Sequence, residues 1–384
     1  MRATGTGWVL LTLAACGGDP SRVVSSDELG AASPGEATVG GGGTATDRAS
    51  DAGHTYSADG AAPMGPALAD ASGGGDGGPR DGGAEGAPSG EAGPRVPPGI
   101  GHVVFRLAQR WRRLSAAPGA PMQDLTAALD AISPGSDDQI ALAASGAWLV
   151  LQTTRFGCQD YGCIALVKGD LSGGALVKNG GEIHAQGRPA VSASGDRIVF
   201  PSHGPHAMDV WAIARTGATW SQPVLLTAAS SHPYHHDLAI SADGTKAVFD
   251  CGNDPYGAGG TDLCEAHTDG TGFRVLGVAG NSSNALHHGG YAPDDSVVFE
   301  GAWSGEQVWR LPTGSSTPAQ ASPTQTNDNS PCVLPNGRIV SLWLEAPENP
   351  SGRHELKTMT ASGASWEMLL TGVDVEDIGM TCGE

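Results

Sequence analysis

The side chains best suited to chemistry lie in two short histidine-rich segments. Their polar residues are His232, His235, His236 and Asp237 in the first segment, and His287 and His288 in the second. Imidazole nitrogens beside a carboxylate can bind a divalent metal, and the same groups can bind an acidic sugar and remove a proton from it. A metal needs three or more ligands at about 2.0–2.2 Å. These residues therefore predict a ligand or metal site only if the fold brings both segments together.

Other catalytic signatures are missing from the sequence. The histidines of the first segment lack the helical i, i+4 spacing of zinc proteases, and the glycine-rich stretch 254–262 opens no predicted helix, so it does not indicate a phosphate-binding loop. We also find no nucleophile elbow. Chemistry, if present, depends on the histidines.

A repeated strand–turn–strand unit must position them. Its turn positions are Gly146, Gly195, Gly244, Asp295 and Gly337, at spacings of 49, 49, 51 and 42 residues. An apolar, β-branched run follows each turn, as in Ile198-Val-Phe200, and a third and a fourth strand complete the unit. Four strands in a repeat of this length are typical of a β-propeller blade. The sequence thus predicts an all-β propeller with at least five blades.

A sixth blade is predicted from the two ends of the repeat region. Gly101–Phe105 and the strand around Trp111 match second and third strands, and Leu125-Thr126 matches the end of a fourth strand. The chain end, Val375–Thr381, matches an innermost strand with nothing after it. Joining the two would close the ring and remove its exposed strand edges. We therefore expect one six-bladed domain over residues 98–384.

Seven cysteines support export of the chain. Six of them lie in the repeat region, and an even number in an exported protein indicates disulfides. Local spacing favours Cys158–Cys163 and Cys251–Cys264, which leaves Cys332–Cys382. The last bond would tie the chain end to the neighbouring unit. The absence of a C-x-x-C pair argues against a zinc–thiolate site.

The units resemble the TolB-type propeller repeat. The segments that match best are Arg188-Pro189 to Phe200, Asp237 to Phe249, and Ser330-Pro331 to Val340. This resemblance covers residues 98–384 and implies the propeller fold, whereas fold alone does not fix an activity. Two features depart from the repeat pattern: the unit at Asp295 lacks the turn glycine, and the aspartate that opens each unit is kept only at Asp237, with Asp138 and Asp377 as further candidates. In addition, a low-complexity segment stands where TolB has a domain before the propeller.

Blade topology predicts where the histidines lie. Strands alternate in direction, so the start of each innermost strand and the loop between its second and third strands share one end of the ring. The corresponding innermost positions are Asp138-Gln139, Gly187-Arg188, His236-Asp237, His287-His288, Asn329-Ser330 and Glu376-Asp377. These residues would form the polar lining of a solvated channel, a ligand or metal site that includes Arg188, or a surface that contacts a partner protein. The sequence leaves all three interpretations open.

The first residues predict a lipoprotein. Residues 1–15 have a basic start and a short apolar stretch, typical of a signal peptide. Leu13-Ala-Ala-Cys16 resembles the bacterial lipobox, which implies lipidation of Cys16 and, with Gly17 next, an outer-membrane location. Residues 16–97 are rich in Gly, Ala, Pro and Asp, with one aromatic, and predict a disordered tether. A plain secretory signal is the competing interpretation.

Composition narrows the function classes. A formal net charge of −20 argues against nucleic acid as a partner, and no apolar run is long enough to span a membrane. The sequence favours a non-catalytic binding or scaffolding lipoprotein with a protein or glycan partner. The alternative is a metal-assisted polysaccharide lyase or hydrolase similar to the oligogalacturonide lyases. A divalent metal is the one cofactor that either interpretation admits.

Overall fold

Six antiparallel sheets follow one another along the chain, and each forms one blade of a propeller. The computed structural model describes residues 101–254, 260–281, 286–302, 306–323, 327–343 and 353–384. The predicted signal peptide, Cys16 and the tether lie outside the described residues. No helix in the described part of the chain is long and apolar enough to cross a membrane.

The first three blades occupy the N-terminal half of the ring. Blade 1 contains β1 (His102–Leu107), β2 (Arg110–Ser115) and β3 (Met122–Asp124), and it is followed by the helix α1 (Leu125–Ile132). Blade 2 contains β4 (Asp137–Leu142), β5 (Trp148–Thr153), β6 (Cys163–Lys168) and β7 (Gly174–Leu176). Blade 3 contains β8 (Ala190–Val191), β9 (Arg197–Ser202), β10 (Asp209–Thr216) and an outer edge split into β11 (Thr219–Trp220) and β12 (Val224–Leu225).

The remaining blades complete the ring. Blade 4 contains β13 (Tyr234–Ile240), β14 (Lys246–Gly252), β15 (Thr261–His267) and β16 (Arg274–Val275). Blade 5 contains β17 (Leu286–Tyr291), β18 (Val297–Gly301), β19 (Gln307–Leu311) and β20 (Ala319–Gln320). Blade 6 contains β21 (Asp328–Val333), β22 (Ile339–Trp343), β23 (Glu355–Met359) and β24 (Trp366–Leu370), and the last strand of the chain is β25 (Thr381–Gly383). This arrangement confirms the predicted six-bladed, all-β fold.

The repeated turns have the backbone that their sequence predicts. Gly146, Gly195, Gly244 and Gly337 all adopt a left-handed φ between 67° and 80°. Asp295 occupies the same turn of blade 5 with φ at 63°, a conformation that aspartate tolerates better than most residues. The missing glycine in this unit is therefore a substitution within the same turn and not a different structure.

The chain end closes the ring, although the closing strand lies later in the chain than predicted. The innermost strand of blade 1 is Thr381–Gly383, which pairs with β1 through Val104↔Thr381 and Val103↔Cys382. Thr381 is thus the last residue of the predicted strand Val375–Thr381 and the first of the observed one. At the other end of the predicted strand, Val375 forms an isolated bridge with Leu107. All three disulfides form as predicted, and Cys332–Cys382 links β21 to β25 across the closure. Cys251 and Cys264 lie within the paired strands β14 and β15.

The helix α1 is a second correction. Leu125-Thr126 was expected to end a fourth strand, but that strand ends at Asp124 and the helix begins at Leu125. The Asp124 carboxylate accepts a hydrogen bond from the backbone N–H of Ala127, which is an N-cap that favours helix over strand. Leu125 and Leu129 then pack against the apolar side chains between blades 1 and 2.

The apolar core is divided among the interfaces between blades. Successive side chains of a strand point to opposite faces, so each strand contributes to both neighbouring interfaces. On β14, Phe249 packs towards blade 3 and Val248 packs towards blade 5. Asp250 follows with the same orientation as Val248. This alternation decides which polar residues meet at the end of each strand.

Candidate functional site

Pairs of residues with at least one polar side chain lie at or just before the start of the innermost strands of four neighbouring blades. The pairs are Gly187-Arg188, His236-Asp237, His287-His288 and Asn329-Ser330. In three of these pairs the second residue has a left-handed φ: 46° at Asp237, 54° at His288 and 46° at Ser330. The strand register shifts directly afterwards in each case. Such backbone strain is found most often at binding and catalytic sites. We call this group of residues, together with the acidic side chains that contact it or interact with it electrostatically, the axis cluster.

The contact between blades 4 and 5 contains the closest groups of the axis cluster. His287 Nδ1 donates to Asp250 Oδ2 at 2.8 Å, and His236 Nδ1 lies 3.6 Å from the same oxygen. His236 Nδ1 also donates to Asp237 Oδ2 at 3.1 Å. The two imidazole rings are nearly parallel, at 14°, with centroids 6.1 Å apart. One ligand atom from each of these four residues lies within 4.8 Å of all the others, so the set could hold a metal ion.

A second part of the axis cluster joins blades 5 and 6 to the chain end. His288 Nδ1 donates to Glu300 Oε2 at 3.3 Å, and the backbone N–H of Ser330 donates to the same carboxylate oxygen at 3.0 Å. Asn329 and Ser330 both donate to the Asp377 carboxylate, at 2.9 and 2.7 Å. Polar contacts therefore continue from blade 4 to the last segment of the chain.

The axis cluster is rich in carboxylates. Besides its histidines, it contains five acidic residues and one guanidinium. The acidic residues are Asp237, Asp250, Glu300, Glu306 and Asp377. The guanidinium is that of Arg188, whose Nη1 donates to the Met380 carbonyl at 3.3 Å. Excess negative charge attracts protons, metal ions or a cationic ligand.

The pKa values of the axis cluster respond to this charge. Burial alone would lower the pKa of His236, but the Asp237 hydrogen bond and the charges of Asp237 and Asp250 raise it to about 9. The pKa of His288 rises to about 10, against its own burial, because Asp237 and Glu300 favour the imidazolium. Burial raises the pKa of Asp250 to about 6 despite its bond to His287. Burial also raises the pKa of Glu306 to about 7, and the charges of Glu300 and Asp377 add to the effect.

His235 belongs to a different group, which we call the satisfied cluster: His206, Asp209 and His235, between blades 3 and 4. His235 is fully buried, its Nδ1 donates to the Met208 carbonyl at 2.7 Å, and its Nε2 accepts from Ser230 Oγ at 2.7 Å. His206 donates to Asp209 from both its backbone N–H and Nδ1, at 2.8 and 2.7 Å. Burial lowers the pKa of His235 to about 4, so the ring is neutral.

His232 also lies apart from the axis cluster. Its nearest potential metal ligands are the sulfurs of Cys251 and Cys264, within 4.8 Å. Those sulfurs form a disulfide and are therefore not thiolate ligands. Of the seven residues predicted from the sequence, the structure brings together Arg188, His236, Asp237, His287 and His288, and it separates His232 and His235 from them.

Sequence reasoning missed the acidic residues on the second strands. Asp250 and Glu300 each follow a buried phenylalanine at the same blade position, Phe249 in blade 4 and Phe299 in blade 5. Blade 3 has Pro201 after Phe200 at this position. An acidic residue directly after the second-strand phenylalanine was therefore a signal available in the sequence.

Among known proteins, the chain is similar in fold to several solved structures, but it matches no family model and no curated sequence. Among solved structures, TolB from Acinetobacter baumannii aligns with a TM-score of 0.54 at 13% identity, over 74% of this chain and 68% of that one. The chain folds as a TolB-like propeller. A structure of a nidogen/laminin complex aligns with a TM-score of 0.50 at 10% identity, over 74% of this chain and 98% of that one. At these identities the likeness concerns the fold alone.

Proposed function

We propose that this TolB-like propeller is a cell-envelope lipoprotein that binds a protein or glycan partner, without catalysis, through the end of the ring that carries the axis cluster. The observation that carries the proposal is the convergence of charged and polar side chains from four neighbouring blades and the chain end at one end of the ring. Because these side chains hold one another through hydrogen bonds, little side-chain freedom would be lost on binding.

The ring itself favours a binding role. Its six sheets are closed by strand pairing at β25 and by the Cys332–Cys382 disulfide. A closed ring leaves only the short outer edge of each blade exposed and keeps the loops at its two ends in fixed positions. A long tether would carry this rigid surface away from a membrane.

Anchoring at Cys16 can be tested separately. In bacteria producing the full-length chain, Cys16→Ser should move the protein out of the detergent-extracted membrane fraction, because one residue carries the lipid attachment. Wild-type protein labelled with a radioactive fatty acid serves as the reference. Membrane association that survives the substitution, or wild-type protein without label, would contradict lipid anchoring.

The binding end can be located by photo-crosslinking in living cells. A photoreactive amino acid at exposed Ala207, between β9 and β10, samples the end with the axis cluster. The same amino acid at exposed Asp269, in the turn between β15 and β16, samples the opposite end and is the matched control. We expect discrete protein or glycan adducts from position 207 alone. Equal adducts from both positions, or adducts from 269 alone, would refute the proposed surface.

A metal-assisted polysaccharide lyase or hydrolase is the second candidate. One observation favours it, namely the four potential ligands within 4.8 Å at His236, Asp237, Asp250 and His287. The test is incubation of the full-length chain, loaded with divalent metal, with acidic polysaccharides. We expect no shortened or unsaturated products. Products that disappear in the Asp250→Asn variant would favour the enzyme over the binding protein.

A further inference from the structure

We infer that His236, Asp237, Asp250 and His287 form a binding site for a divalent transition metal, for which Zn²⁺ is the best fit. The inference deepens the proposed function, since it names one species that the axis cluster binds. It does not depend on the identity of the protein or glycan partner.

The spacing of the four groups suits a small ion. Ligands at about 2.0–2.1 Å from a tetrahedral ion lie about 3.3 Å from one another. Three of the six pairwise separations are 2.8 Å for His287 Nδ1–Asp250 Oδ2, 3.1 Å for His236 Nδ1–Asp237 Oδ2 and 3.6 Å for His236 Nδ1–Asp250 Oδ2. These three bracket the tetrahedral value, and one ligand atom of each residue lies within 4.8 Å of the others, so side-chain movements could complete the coordination. Two imidazoles and two carboxylates are ligands that Zn²⁺ accepts readily.

Two of the four proposed ligand residues also carry a second polar atom that has no partner in the described part of the chain, which points independently to a ligand. The Asp250 side chain is fully buried, yet its Oδ1 has no hydrogen-bond partner among the described residues. The buried Nε2 of His236 also lacks one. An unsatisfied buried polar atom costs about 1–3 kcal/mol, and more for a charged group, unless something binds it. A cation beside Asp250 would remove that cost at the carboxylate.

The surrounding charge favours a cation. Glu300, Glu306 and Asp377 add three carboxylates around the two proposed acidic ligands, and Arg188 is the one guanidinium in the axis cluster. Metal binding requires His236 and His287 to be neutral, and the five carboxylates of the axis cluster then outnumber its two remaining cations, Arg188 and the His288 imidazolium. Coulombic attraction therefore acts in the same direction as ligand geometry.

The satisfied cluster shows that histidines and an aspartate alone do not make such a site. Its ligand atoms in His206, Asp209 and His235 also lie within 4.8 Å of one another. However, both nitrogens of His235 are engaged, by Met208 and Ser230, and Thr227 joins His206 in donating to Asp209. A metal would have to break these bonds. This cluster supplies the matched control.

Zn²⁺ titration tests the inference directly. We propose calorimetric titration of chelator-treated full-length protein, with metal content checked by elemental mass spectrometry. Wild type should bind one Zn²⁺ per chain, and Asp250→Asn and His287→Gln should each weaken binding at least about tenfold, because even second-shell changes cost 10- to 100-fold. His206→Gln should leave the affinity unchanged. Circular dichroism and thermal unfolding would verify that each variant is folded.

The contrary outcomes are equally defined. No Zn²⁺ binding by wild type, or the same affinity in both axis variants as in wild type, would overturn the metal site. An effect of His206→Gln as large as that of Asp250→Asn would place the metal elsewhere and overturn it too. Crosslinking from position 207 in otherwise wild-type protein reports on the proposed function separately, since it measures the partner and not the ion.

Discussion

His235 and His236 are neighbours on β13, but they lie in environments that differ in almost every physical respect. His235 points towards blade 3, where a carbonyl, a hydroxyl and the ring of Phe249 surround it. His236 points towards blade 5 and meets two carboxylates. The first ring is saturated and neutral, whereas the second has an unpartnered nitrogen and favours the charged form. Strand alternation separates a structural histidine from a candidate ligand one residue away.

The largest expected effect breaks the structural side of this comparison. His235→Ala removes a fully buried ring and leaves Met208 and Ser230 without their partner, so we expect a loss of about 2–4 kcal/mol in the free energy of unfolding. Urea unfolding at pH 9.5 in the presence of a chelator measures it. His236→Ala is the adjacent control, and its loss should be less than half as large, because at this pH the His236 ring has lost the proton that its carboxylate contacts stabilise. Equal losses would show that the two histidines do not differ in role.

A pH series sharpens the same contrast. The pKa of His235 is about 4 in the folded protein and 6.5 for the free side chain, so the unfolded chain binds the proton more tightly. The contribution of His235 to stability should therefore decline as pH falls from 6.5 towards 4, by on the order of 2 kcal/mol. The difference in unfolding free energy between wild type and His235→Gln measures it. A difference that is constant between pH 7 and 5 would contradict a neutral, buried His235.

His236 should show the opposite dependence. Its pKa is raised to about 9, so the folded protein holds the proton more tightly than the unfolded chain. In metal-free protein its contribution is fully present below pH 6.5 and is lost as pH rises towards 9. The matched measurement compares wild type with His236→Gln over pH 6–9.5 in the presence of a chelator. A contribution that grows with pH would be inconsistent with the carboxylate contacts.

The smallest expected effect concerns the link between the two histidines of the axis cluster. Asp250→Asn removes a charge that raises the pKa of both His236 and His287. Their pKa values should fall, whereas that of His235 should not change. Titration of the imidazole ring signals by NMR measures all three in one sample. A change at His235 would reveal coupling across β13 that its hydrogen bonds do not suggest.

Much of the fold follows from the sequence because it depends on local signals. Turn residues at Gly146 to Gly337, apolar alternation and cysteine spacing each specify a local structure, and together they predicted the blades, the disulfides and the closure. The closing strand was predicted too early in the chain. Val375, where the predicted strand begins, does pair with β1, but only through an isolated bridge. The helix α1 was missed because an N-cap at Asp124 overrode the repeat pattern.

The candidate site is harder to predict because it depends on contacts between blades. The sequence indicated which histidines share one end of the ring, but it did not separate His235 from His236, which requires the strand orientation and the bulge after His236. Asp250 accepts a hydrogen bond from His287, which lies in the next blade and 37 residues later in the chain. Such pairings are a property of the closed ring.

The most direct test of the central claim is NMR observation of the histidine ring nitrogens of the full-length chain during Zn²⁺ addition. We expect the signals of His236 and His287 to shift and to saturate at one equivalent of Zn²⁺, while those of His206 and His235 stay in place. Shifts at His206 and His235, or none at His236 and His287, would contradict the proposed metal site.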